Sequence, residues 1–406
     1  MTAHLDTLQK LRAGRLAGAT QLDLRNFDLE EFPPEIFELA DTLQSLDLSG
    51  NRLRALPDDL PRLRELRTLF CSNNPFTALP AVLGRCERLD LVGFKANAIE
   101  HVPAESLPER LRWLILSDNR VESLPATLGQ RPLLQKLALA GNRLSALPDL
   151  ARCERLELVR LSANRFARIE DALPEGLLAL PNLMWIAYAG NPFNLAQEER
   201  ALERSPIRHF AWDALRVREL LGTGASGFIH RADGPDGPVA VKLFKGTVTS
   251  DGLPASEMAA SVAAGTHANL VGVEGRIDGH PQGTQALVLG LIPPHYRNLA
   301  GPPSLATCTR DRYADDARFT PAQASAIAQG AGDALAHLHA RGLVHGDFYA
   351  HNLMVDDAGH ALLGDFGAAS FLPEGDAARR EALLRIDRRA HAVLVEELAR
   401  CTQTPR

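Results

Sequence analysis

The chain of 406 residues has few cysteines, a net charge of only -6 and no long hydrophobic run. Its five cysteines, Cys71, Cys86, Cys153, Cys308 and Cys401, are odd in number and stand singly, without the C-x-x-C pairs that zinc sites and redox centres use. They read as buried, reduced thiols. Forty-four Lys and Arg face 50 Asp and Glu, and residues 1–200 hold 24 of the former and 27 of the latter, so neither half is a basic platform for nucleic acid or a membrane. No stretch reaches the roughly 18 apolar residues that cross a bilayer, and MTAHLDTLQKLRAGRL lacks the apolar core of a secretory signal. These absences predict a cytoplasmic protein with no nucleic-acid and no membrane partner. What is present, 45% hydrophobic and 23% charged residues, is the composition of a folded protein and excludes a disordered tail or a collagen-like fibre. At about 100 to 200 residues per domain, two or three domains are expected.

One block recurs through the first half: LQSLDLSGNRLRALP from Leu43, LRTLFCSNNPFTALP from Leu66, LRWLILSDNRVESLP from Leu111 and LQKLALAGNRLSALP from Leu134. Its asparagines, Asn51, Asn74, Asn97, Asn119, Asn142, Asn164 and Asn191, lie 23, 23, 22, 23, 22 and 27 residues apart, the last step marking an insertion around 172–180. The pattern L-x-x-L-x-L-x-x-N-x-L resembles the leucine-rich repeat in its 23-residue form. That resemblance implies a solenoid with a parallel β-sheet horseshoe over residues 1–200. Strand leucines such as Leu46 and Leu48, or Leu114 and Leu116, then point inward at period two, and each Asn satisfies backbone groups where the chain turns. A further copy, QLDLRNFDLEEFP, carries Phe27 in place of the Asn, as suits a terminal cap.

Residues between the inward leucines should line the open face of the sheet. Most are small or polar, such as Ser45, Asp47, Thr68 and Ala138. Phe70, Trp113, Ile115, Leu158 and Trp185 are large apolar exceptions, and each would contribute about 1.5 to 3 kcal/mol if a partner buried it. They are the expected anchors for a protein partner or substrate, unless the strand register differs there or the second domain covers them. After Asn191 the leucine period stops, and residues 194–215 read as a short polar helix broken near Pro206.

From Leu215 two alternating apolar runs flank Gly222, Gly224 and Gly227, the pattern of a strand, a glycine-rich turn and a returning strand. A dinucleotide fold would need the third glycine to open a helix, but Phe-Ile-His and a Gly/Pro/Asp turn follow it. The glycines alone are a weak signal. With them come VAVK carrying Lys242, HGDFYAHN carrying His345, Asp347 and Asn352, and LLGDFGAA carrying Asp365, in that order. Together these resemble the protein-kinase fold over residues 215–406, an α+β bilobal domain following the repeat solenoid.

The resemblance implies ATP and Mg2+ as cofactors. Gly222, Gly224 and Gly227 would let backbone N–H groups approach the phosphates, and Lys242 would meet the α and β phosphates, aimed by Glu257 early in the helix PASEMAASVAAG. Read without the resemblance, Glu257 is simply a first-turn acid favoured by the helix dipole. Leu289 would back the adenine and Leu291 would lie at the hinge. Asp365 and Asn352 supply the oxygen ligands a hard cation prefers, and Asp347 would orient the acceptor hydroxyl or take its proton. Thr320-Pro321 reads as an N-cap and first-turn proline for the helix leading to that loop. His337 and His339 on it read as packing or surface residues. Asp387 resembles the buried acid that props the loop backbone.

Three departures stand out. Gly346 replaces the arginine that senses a phosphorylated activation loop, and Ser370 is the lone hydroxyl between Asp365 and the next helix, so control by loop phosphorylation is not expected. Tyr349 replaces the lysine that serine/threonine kinases place two positions after the acid. Only 19 residues follow Asp387, which implies a truncated C-lobe. The sequence therefore predicts an ATP-dependent serine/threonine protein kinase whose repeats recruit a protein partner or substrate. A pseudokinase scaffold that binds nucleotide without efficient transfer, and a small-molecule phosphotransferase, are the alternatives.

Overall fold

The structure is a computed structural model and describes residues 2–402 apart from Pro206, Ala225, Thr247 and Ser250. The chain divides into two compact units, Met1–Val159 with Asn164–Asn182, and Arg160–Ala163 with Leu183–Arg406.

The first unit opens with α1 (Thr2–Arg12) and repeats a three-residue strand: β1 (Gln21–Asp23), β2 (Ser45–Asp47), β3 (Thr68–Phe70), β4 (Leu91–Gly93), β5 (Trp113–Ile115) and β6 (Lys136–Ala138). The parallel sheet continues in chain order through β7 (Leu158–Arg160), and two short helices, α2 (Ile169–Ala172) and α3 (Glu175–Leu178), fill the insertion that follows; β8 (Trp185–Ala187) belongs to the second unit. This is the expected leucine-rich-repeat solenoid. The middle residues of β2, β5 and β6, Leu46, Leu114 and Leu137, are fully buried, as are Leu48, Leu116 and Leu139 beyond them. The asparagine ladder works as the repeat requires. Asn119 Nδ2 donates to Phe94 O at 2.8 Å and Leu116 O at 3.0 Å, and its Oδ1 accepts from Ile99 N at 3.0 Å, so one side chain ties one coil to the next.

The five expected partner anchors are not exposed. Trp113, Leu158 and Trp185 are 7%, 4% and 1% exposed, and Phe70 and Ile115 are half-buried. In-register parallel strands set side chains of one row side by side, so Phe70 and Trp113 are shielded by row neighbours, while Trp185 is covered by the stacked ring of Tyr349. Trp113 lies opposite Leu91 and Lys136, and the Lys136 ammonium sits 5.1 Å from its ring centre. Phe70 fills the space left by Gly93, where any Cβ would collide with its ring. Alternation places these residues off the leucine core correctly, but it does not expose them.

The second unit takes up α4 (Pro192–Arg204), whose end is helical to Arg204, while Pro206, the expected break, falls outside the described residues. Six strands follow in a mixed sheet: β9 (Arg208–Ala211), β10 (Arg216–Thr223), β11 (Gly227–Gly234), β12 (Gly237–Phe244), β13 (Val273–Asp278) and β14 (Ala286–Gly290), ordered β10-β11-β12-β14-β13-β9. The glycine-rich segment is a hairpin, as its flanking runs predict: β10 and β11 pair antiparallel. Strand β9 pairs parallel to β13 and is not legible in its four residues. Period two divides β12 between two cores. Val239 and Val241 join Phe210, Ile277 and Val288, while Phe244 packs with Leu287 against Met258 and Val262 of α5 (Pro254–Ala264).

The remainder is mainly helical. A short strand, β15 (Arg297–Asn298), precedes α6 (Pro321–Ala340), which opens on a Thr320/Gln323 capping box with Pro321 in the first turn. Then come β16 (Leu343–Val344), the hairpin β17 (Leu353–Val355) and β18 (Ala361–Leu363), β19 (Ser370–Phe371) and α7 (Ala377–Arg400). Cys71, Cys86, Cys153 and Cys308 are buried, and Cys401 is half-buried. Among the described residues no helix is long and apolar enough to cross a membrane.

Candidate active site

Strand β12 and helix α5 bring together the first pair of site residues. Lys242 lies on the face of β12 turned toward α5, and its ammonium pairs with Glu257 Oε1; both side chains are buried. Asp365 Oδ1 stands 4.0 Å from the same ammonium. Burial works against the charge on Lys242, but Glu257 and Asp365 outweigh it and raise its pKa. Burial also lifts Glu257 to about 7 while Lys242 pulls it the other way, and with two acids facing one amine we take Lys242 as the charged member.

The loop after α6 is held from beneath. Asp387 on α7 is 2% exposed and accepts from His345 N at 3.0 Å and Gly346 N at 3.2 Å, the propping role expected of it. A buried carboxylate with two backbone donors fixes the loop that carries Asp347 and Asn352. Asn352 Nδ2 donates to Asp347 O at 2.8 Å and Oδ2 at 3.0 Å. Both donors being used on Asp347, no described residue donates to Asn352 Oδ1. His337 and His339 are packing residues: one meets Ala264 O at 2.8 Å, the other Asp387 Oδ2 at 2.9 Å.

Asp365 follows the β17–β18 hairpin with φ +52°, a left-handed conformation tied by Gly367 N donating to its Oδ1 at 3.2 Å. Its carboxylate is half exposed, into a cleft of about 620 Å3. Lys242, Glu257, Asn352 and Asp365 line this cleft together with Gly222, Gly224, Gly227, Leu289 and Leu291. A Cβ on Gly222 or Gly224 would meet nothing within 4 Å, so both border open space. Gly227 differs: a Cβ there would lie 2.5 Å from Leu243 O, so its glycine serves the close approach of β11 to β12. Asp347 does not line the cleft but joins it through Asn352. The oxygens of Asp365 and Asn352 suit a hard cation such as Mg2+.

Several residues around Asp347 escaped the sequence reading. Arg160 is 5% exposed and pairs with Asp347 Oδ1, donates from Nη1 to Gly346 O at 3.1 Å, and meets Asp251 Oδ1 at 3.1 Å. Burial resists ionisation of Asp347, but Arg160, His351 and His345 outweigh it and hold the carboxyl below its ordinary value. Asp251, partly buried, is raised by desolvation against the pull of Arg160. One signal for Arg160 existed. At its place in the repeat the preceding copies carry Asp47, Phe70, Gly93, Ile115 and Ala138, and Arg160 is the lone cation.

Residues 215–383 match the model of the protein kinase domain, and residues 42–63 that of the Leucine Rich Repeat. The chain carries a leucine-rich repeat and a protein kinase domain. It is similar to serine/threonine-protein kinase PkaB of Streptomyces coelicolor, 31% identical over 182 residues that make up 42% of this chain and 39% of PkaB. The probable inactive serine/threonine-protein kinase roco10 of Dictyostelium discoideum is 36% identical over 86 residues, 21% of this chain and 3% of that one. The chain thus spans well under two thirds of the length of these relatives. Among solved structures, the Leptospira interrogans leucine-rich-repeat protein LIC12759 is similar with 28% identity and a TM-score of 0.41, over 45% of this chain and 46% of that one.

Proposed function

We propose that the chain is an ATP-dependent protein kinase acting on serine or threonine hydroxyls, with the repeats recruiting the protein partner or substrate. The observation that carries this reading is the meeting of Lys242, Glu257, Asp365 and Asn352 on one cleft, with Asp347 tied to Asn352 at its edge. Lys242, aimed by Glu257, would hold the α and β phosphates, and the Gly222 and Gly224 turn would cover them. Leu289 and Leu291 offer the adenine an apolar seat. Asp365 and Asn352 would hold Mg2+, which supplies charge neutralisation to the triphosphate. Asp347 would orient the acceptor hydroxyl: its oxygen bonds to the γ-phosphorus as the bond to ADP breaks, and its proton leaves toward the carboxylate. The repeat face is proposed to bind protein without Phe70, Trp113, Ile115, Leu158 or Trp185 as exposed anchors.

A nucleotide-binding scaffold is the second reading. Tyr349, at the place of the kinase lysine, is buried with its ring stacked on Trp185 and cannot neutralise phosphate. Incubating the full chain with Mg2+, γ-labelled ATP and dephosphorylated casein, beside an Asp365→Ala control, separates the two. Label on protein in the wild type alone supports the kinase; nucleotide binding without label replaces it with the scaffold.

A further inference from the structure

The acid proposed to receive the acceptor's proton carries a buried cation that none of the kinase motifs supplies. Arg160 ends β7 and belongs to the compact unit that holds Lys242, Asp347 and Asp365. Its guanidinium fork is used in three directions: to Asp347 Oδ1, to Gly346 O at 3.1 Å and to Asp251 Oδ1 at 3.1 Å. It therefore grips the side chain of one loop residue and the backbone of the one before it. On the far side Asn352 Nδ2 holds Asp347 Oδ2 at 3.0 Å. With each oxygen held from a different side the carboxylate cannot rotate. A carboxylate offers about four acceptor positions, so two stay open for an incoming hydroxyl.

We infer that Arg160 is a positioning residue for phosphoryl transfer, fixing the Asp347 carboxylate in the orientation that meets the acceptor hydroxyl. The inference rests on the reading of the chain as a phosphotransferase. Arginine suits the task because its planar fork presents five donors in fixed directions, which bridge two acids and a carbonyl at once; a lysine ammonium has no such plane. The same partners argue against a removable plug. Withdrawing the guanidinium would leave the half-buried Asp347 and Asp251 without their cation and Gly346 O without this donor. Tyr349 cannot substitute, since burial raises its phenol well above the ordinary value and keeps it neutral.

The test compares wild type, Arg160→Gln and Arg160→Lys as full chains with γ-labelled ATP, Mg2+ and dephosphorylated casein. Arg160→Gln should lower kcat by about 30-fold or more with the KM for MgATP within about two-fold of wild type, and Arg160→Lys should recover part of the loss. An unchanged kcat in Arg160→Gln overturns the inference, and a raised kcat overturns it in favour of a plug. Equal losses of kcat and nucleotide affinity without recovery in Arg160→Lys overturn it in favour of a fold defect. If Arg160→Gln does not fold, the Arg160→Gln/Asp251→Asn double variant removes the second stranded acid; the same fall is expected, and full turnover again overturns the inference. A silent wild type removes the phosphotransferase reading and this inference with it, whereas an active wild type beside an equally active Arg160→Gln removes this inference alone.

Discussion

Trp185 and Tyr349 stack with ring centres 4.2 Å apart and planes 7° apart, and the Trp185 indole N–H donates to Phe348 O at 3.0 Å. The pair fixes the segment between Asp347 and Asn352, and Arg310 lies over the Trp185 ring at 5.4 Å. Trp185 is therefore a core residue of the site and no anchor for a partner.

Replacing Trp185 by alanine should cost about 3 to 5 kcal/mol, the range for a buried Trp emptied to a cavity. Trp185→Phe keeps a ring for the stack but strands Phe348 O, at about 1 to 3 kcal/mol. Denaturant midpoints of the three chains measure both, and an alanine variant as stable as wild type would contradict the packing described.

Ser370 bears on regulation. The sequence reading leaves it as the lone hydroxyl of the stretch after Asp365, and in the fold its side chain is buried, accepts from Tyr188 N at 3.1 Å and donates to Ala368 O at 3.3 Å. A hydroxyl so placed is closed to a modifying enzyme. Ser370→Ala should keep the phosphoryl-transfer rate at 20 °C but lose about 1 to 3 kcal/mol of stability, because Tyr188 N–H then has no acceptor. Rate assays beside thermal melts test the two halves separately. A collapse of turnover in folded Ser370→Ala would count against this account.

How much of this was legible depended on whether a feature is local. The repeat was readable because Leu46, Leu48 and Asn51 recur at nearly constant spacing, and both inward burial and the turn asparagine follow from one period. Lys242, Glu257, Asn352 and Asp365 were readable as an ordered set of residue types, and they meet on one cleft. Arg160 stood out only as the lone cation at its repeat position, and its partner Asp347, 187 residues away in the chain, could not be read from that. Burial of Trp113 was missed for a related reason: alternation says which side of a strand a residue takes, and only neighbouring strands decide whether that side is wet. Strand β9 is too short to show a period.

Glu397 gives a pH signature away from the cleft. It lies on α7, accepts from Tyr313 O–H at 3.3 Å, and is lifted from 4.5 to about 7 by burial and the nearby charge of Asp311. The folded chain thus holds this proton more tightly than the unfolded chain. Its contribution to stability is complete below the unfolded value and is lost as pH rises through about 7. Glu397→Gln cannot lose that proton. Urea unfolding at pH 5 and pH 8 should show wild type losing on the order of 2 kcal/mol more than the variant between the two. Parallel losses in both chains would show that Glu397 is ionised throughout.

Gly346 gives the sharpest separation between family pattern and local packing. Restoring the arginine that the kinase resemblance calls for is the obvious substitution to make. Yet Gly346 has φ +69°, and a Cβ on it would lie 2.5 Å from Ile186 O and 2.7 Å from Ala368 O. Two backbone carbonyls cannot yield as a flexible side chain would. Any side chain at this position incurs left-handed strain and steric overlap together, at about 2 to 5 kcal/mol, and displaces the loop whose N–H groups meet Asp387. Gly346→Ala should therefore lower the melting temperature and the transfer rate, and Gly346→Arg should do so more severely instead of improving turnover. A Gly346→Arg chain that melts like wild type would mean that Ile186 and Ala368 do not close over the loop in solution.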